Sequence, residues 1–99
     1  MTSPAAAEPF SLDIAAQFGL TLRCQRDQRR WSQERLAAAA NLNRTYVGEL
    51  ERGEAVASLQ TAQKLASALG IELSALVLEA EHRHRLASQR RHVLMGIAG

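Results

Sequence analysis

The chain has 99 residues, 46% of them hydrophobic and 22% charged, with a formal net charge of +2, which is enough for one globular domain and too little for a second core. Its single cysteine, Cys24, excludes an intrachain disulfide and a cysteine-based metal site, as expected of a protein in a reducing cytoplasm. No apolar run approaches the roughly 20 residues that cross a bilayer, and the opening Met1-Thr2-Ser3-Pro4 lacks the basic and apolar regions of a secretory signal.

Residues 1–10 carry two prolines and no periodicity, and read as a flexible arm. Helical spacing begins at Ser11, a candidate cap, with Ile14, Phe18 and Leu22 on one face of a helix reaching about Gln28. Gln25 falls near that buried face and needs a hydrogen-bond partner. Ser32 caps a second helix, Gln33 to Ala40, with Leu36, Ala37 and Ala40 inward. Asn41 follows, where a left-handed residue can stop the helix.

Asn43 caps a third helix that turns Tyr46, Val47 and Leu50 inward and ends at Gly53. Ser58 caps a fourth, with Leu59, Ala62, Leu65, Ala66 and Leu69 at helical spacing and Gly70 as its stop. A short fifth helix starts near Glu72 with Leu73, Leu76 and Val77. From residue 79 to 99 the chain reads as a basic tail, in which Leu86, Val93, Leu94 and Ile97 make a thin stripe on a helix of about Ala80 to Met95. No segment alternates as a strand does. The expected fold is all-α, with the domain itself at residues 11–78.

All cationic residues except Lys64 are arginine, running from Arg23 to Arg52 and again from Arg83 to Arg91. Arginine forks suit phosphates and guanine edges, although arginine is also common in GC-rich coding sequence. Ser32 to Glu54, SQERLAAAANLNRTYVGELERGE, places two helices around a tight turn within about twenty residues, the spacing of a helix-turn-helix. Ala37 permits close approach of the two helices, Asn41 takes the turn, and Val47, Leu50 and Leu36 pin the second helix.

At 100° per residue, Thr45, Gly48, Glu49 and Arg52 then face outward, with Arg44 at the exposed N-terminal end. That end is the one a recognition helix presents to the major groove. Arg44 can fork onto guanine O6/N7, Thr45 can meet a thymine methyl, Glu49 can accept from cytosine N4, and Gly48 keeps the face shallow. Gln33 can hold a phosphate through its side chain and backbone N–H, with Tyr46 and Arg52 on the flanking backbone and the caps Ser32 and Asn43 beside them. Glu49 has an equally simple alternative, an ion pair with Arg52 or Arg44 on the helix surface.

Residues from about Gly19 to Val77, through SQERLA, NRTYVGELERGE and SLQTAQKLASALGIELSAL, resemble the Xre/Cro/CI family of helix-turn-helix regulators. The Arg-Thr-Tyr triplet followed by Glu-Arg-Gly is similar to the controller proteins of restriction–modification systems. The resemblance implies a five-helix, lambda-repressor-like DNA-binding domain, usually a homodimer on a palindromic operator in double-stranded DNA, with Arg44, Thr45 and Tyr46 meeting the operator. Gln25 and Arg30 depart from the family, which more often has Leu and Gly there.

A dimer interface is expected at Leu73, Leu76 and Val77, since so small a domain cannot bury every apolar residue of its last helices. The tail beyond has three readings: more dimer interface, contact with DNA phosphates, or disorder. A rival function is an antitoxin-type module whose tail binds a second protein. No phosphate loop, Cys–His couple or nucleophile elbow points to an enzyme or a cofactor. His82 and His84 lie about 200° apart on a helix and cannot chelate one metal ion together. The expected location is cytoplasmic and nucleoid-associated.

Overall fold

The computed structural model describes residues 13–98, with side chains described to residue 90. Five helices follow one another: α1 (Ile14–Gln28), α2 (Gln33–Ala40), α3 (Arg44–Glu51), α4 (Leu59–Leu69) and α5 (Leu73–Ala98). The expected arm of residues 1–10 and the candidate cap Ser11 lie outside the described residues. Asp13 is the cap instead, its Oδ1 accepting from the Ala16 amide at 2.9 Å.

The starts of α2, α3 and α4 also follow from short polar side chains that satisfy the free amides of a first turn. Ser32 accepts from the Arg35 amide at 3.1 Å, Asn43 from Thr45 at 2.7 Å and Ser58 from Thr61 at 3.0 Å. The stops are local as well. Asn41 takes the left-handed conformation (φ 57°, ψ 49°), and Leu42 N–H returns to the Ala37 carbonyl at 2.8 Å. Gly53 and Gly70 end α3 and α4 at φ 74°. Arg30 ends α1 at φ 58°, the conformation for which glycine is the usual choice.

Leu22, Leu36, Val47, Leu50, Leu65 and Leu76 are buried to within 1% and bring all five helices onto one core, with Ala37, Ala40, Ala66 and Leu69 between them. Each large aliphatic side chain contributes about 1.5–3 kcal/mol by leaving water. Gly19 lets α1 lie against the end of α3. A Cβ there would collide with the Leu50 carbonyl oxygen and sit 2.9 Å from that of Glu51.

Two features differ from the sequence reading. Leu59 is 74% exposed, because as the first residue of α4 it precedes the turns that reach the core. The short fifth helix and the tail helix are one continuous helix, α5. No Gly or Pro interrupts residues 73–95, and just past the expected break Glu79–Arg83 (3.2 Å) and Glu81–Arg85 (3.7 Å) pair one turn apart along the helix. Gln25 finds the partner it needs on this helix, donating through Nε2 to Glu79 Oε1 at 2.6 Å. Arg29 braces the junction, donating to the Gln25 side chain at 2.7 Å and to the Leu69 carbonyl at the end of α4 at 2.8 Å.

Candidate nucleic-acid interface

The unit that presents side chains outward is α2, the Asn41 turn and α3. Its inner side is closed by Leu36, Ala37, Ala40, Val47 and Leu50, so α3 has one orientation on the domain. Its N-terminal end is open. Arg44 and Thr45 are exposed, and the Arg44 Nε lies 3.8 Å from Oε2 of Glu34 in the first turn of α2. Tyr46 and Glu49 are half-buried. Of the arginines expected as partners of Glu49, Arg44 pairs with Glu34 and Arg52 with Glu54 at 3.1 Å, and the Glu49 charge adds a smaller favourable field at Arg52. The Arg52 guanidinium is held above the usual arginine range by its hydrogen bond to Glu54.

Gly48 lies elsewhere than expected. It is buried rather than outward-facing, because the Arg52 Nη1 lies 3.1 Å and the Gln33 Oε1 3.6 Å from where its Cβ would be. Its missing side chain makes room for those two groups rather than a shallow base-reading surface. Gln33 and Arg52 therefore converge on one spot beside α3. Ser32 and Asn43 use their oxygens as caps, which leaves the Ser32 hydroxyl proton and the Asn43 Nδ2 as donors at the same edge.

Beneath this edge lies a polar cluster that the sequence reading missed. Arg26 on α1 donates through Nε to Glu51 Oε2 at 2.7 Å and through Nη2 to Glu51 Oε1 at 2.9 Å. Its Nη1 holds the Trp31 carbonyl at 2.8 Å. Gln33 Nε2 donates to the same Glu51 Oε1 at 2.9 Å. Hydrogen bonding to Glu51 raises the Arg26 guanidinium above its ordinary range against the opposing effect of burial. The signal in the sequence is that Glu51 stands four residues after Val47, on the inward stripe, where a carboxylate requires a buried cation.

The expected interface residues separate. Leu76 is fully buried in its own core and has no surface for a partner, Leu73 is half-buried against that core, and Val77 is 42% exposed. Val77 instead joins Ile14, Phe18, Val56 and Leu59 around an open apolar cavity of about 230 Å³. Val56 is 76% exposed, and it belongs to no helix, so helical spacing could not reveal it. Among the described residues no helix is long and apolar enough to cross a membrane.

Two capped helices across a left-handed turn, the second locked by its inner face and open at an arginine-bearing end, define a DNA-binding helix-turn-helix regulator. The helix-turn-helix family model HTH_3 matches residues 22–76, and the chain belongs to that family. It is 36% identical over 78 residues to a hypothetical transcription factor of Neisseria meningitidis serogroup B, covering 79% of this chain and 74% of that one. It is 41% identical over 61 residues to the immunity repressor of Bacillus phage phi105, covering 62% of this chain but only 42% of the repressor. Among solved structures, the restriction–modification controller protein C.AhdI from Aeromonas hydrophila is similar at a TM-score of 0.61 and 45% identity, covering 63% of this chain and 94% of that one. The five-helix, lambda-repressor-like fold and the controller-type resemblance both stand, and the family is one of transcription regulators rather than enzymes.

Proposed function

We propose that the protein regulates transcription as a homodimer on a palindromic operator, in the manner of a controller protein or repressor. The observation that carries this reading is the exposed Arg44–Thr45 end of α3, on a helix whose opposite face is fixed in the core. Arg44, Thr45 and Glu49 read base edges, while Gln33, Tyr46 and Arg52, with Ser32 and Asn43, hold phosphates and set register. Two copies pair through the apolar surface of Ile14, Val56, Leu59 and Val77, whose side chains are exposed side by side around the cavity. Such a dimer places its recognition helices one DNA turn apart, roughly 34 Å.

Arg44→Ala tests the base-reading role, by selection of bound duplexes from a random pool beside the unaltered protein. The expected result is lost preference at one guanine, a penalty of about 1–3 kcal/mol. Equal weakening on every sequence makes Arg44 a phosphate contact and contradicts the assignment.

A further inference from the structure

We infer that Glu51 is a positioning residue for DNA binding, acting through Gln33; the inference rests on the proposed role of Gln33 as a phosphate contact. Gln33 is the first residue of α2, and a glutamine there ordinarily turns freely. Here its amide is fixed. Nε2 donates one proton to Glu51 Oε1 at 2.9 Å, and Glu51 is in turn immobilised by the two-pronged grip of Arg26. With that proton committed inward, the geometry leaves the second Nε2 proton as the donor for a phosphate oxygen. Its Oε1 faces Gly48, beside the Arg52 guanidinium. The carboxylate thus joins α1, α2 and α3 at one point, and a neutral side chain meets the backbone already oriented. Ordering that side chain before binding removes part of the entropy lost on association.

The sign of the effect separates this role from simple electrostatics. Removing a negative charge near DNA should strengthen binding by reducing repulsion. Glu51→Gln keeps one accepting oxygen but turns the other, which accepts from Arg26 Nε, into an NH2 that faces that N–H donor. The two-pronged grip that fixes residue 51 is lost, so positioning predicts weaker binding instead.

The test measures affinity for the duplex enriched from a random pool by the unaltered protein, as a function of salt, for Gln33→Ala, Glu51→Gln and the double variant. Gln33→Ala and Glu51→Gln are each expected to weaken binding about tenfold, with the double variant no weaker than either alone. The salt slope should stay unchanged, since Gln33 carries no charge and releases no counterion. Tighter binding by Glu51→Gln, or losses that add in the double variant, overturns the inference while leaving the Gln33 contact in place. An unaffected Gln33→Ala variant overturns both.

Nuclear magnetic resonance of the unaltered protein gives a second readout should Glu51→Gln not fold. The Gln33 side-chain amide should be protected from exchange and rotationally fixed before DNA is added. An amide that exchanges as freely as a solvent-exposed glutamine overturns the inference.

Discussion

Arg26 and Glu51 form a two-pronged ion pair between α1 and the last turn of α3, at 2.7 and 2.9 Å, with the Glu51 side chain only 3% exposed. A buried pair of this kind is expensive to break because the survivor is left charged and unsatisfied. Glu51→Ala is therefore expected to destabilise the domain by about 3–5 kcal/mol in urea unfolding. The double replacement Arg26→Met with Glu51→Leu should cost clearly less than Glu51→Ala, since no buried charge remains. A double variant as unstable as the sum of its two single replacements contradicts the pairing.

Arg30 occupies a left-handed backbone conformation at φ 58°, where a side chain is strained and glycine is not. Arg30→Gly should raise stability by about 1 kcal/mol, less whatever glycine adds to the freedom of the unfolded chain. The denaturation midpoint reports it. A lower midpoint would mean that Arg30 makes a compensating contact that its exposed position does not show.

Leu59 and Val77 rim the apolar cavity and are 74% and 42% exposed, whereas Leu76, one residue away, is fully buried. Leu59→Glu and Val77→Glu should leave the fold intact while shifting sedimentation toward the monomer and weakening operator binding. Leu76→Ala should do the reverse, lowering stability by about 2–5 kcal/mol through the cavity it opens. Persistence of the dimer in both glutamate variants contradicts the proposed surface.

Which of these features could be read from the residues follows from how local their causes are. Ser32, Asn43 and Ser58 begin helices by bonds to amides two or three residues on, and Asn41, Gly53 and Gly70 end them by their own backbone conformation. Such signals are complete within a few residues, and the positions of α2, α3 and α4 follow from them. Arg44 and Thr45 emerge at the open end because Val47 and Leu50 fix which side of α3 is inner.

The features that were missed need a second segment of chain. Gly19 is explained only by the carbonyls of Leu50 and Glu51 lying against it, and Gly48 only by Arg52 and Gln33 folding over it. Leu59 looks like a core residue until the start of α4 is seen to lie at the surface. Glu51 lay between these cases. Its place on the inward stripe was visible, but its partners are 25 and 18 residues away in sequence.

Whether two copies of this domain read a two-fold symmetric DNA site is decided by selecting bound duplexes from a random pool near physiological salt. The expected result is a palindromic consensus whose half-sites are one helical turn apart, with a guanine in each half-site that depends on Arg44. No enrichment, with only salt-sensitive binding, would contradict it, and would favour the rival antitoxin-type role in which α5 recognises a second protein.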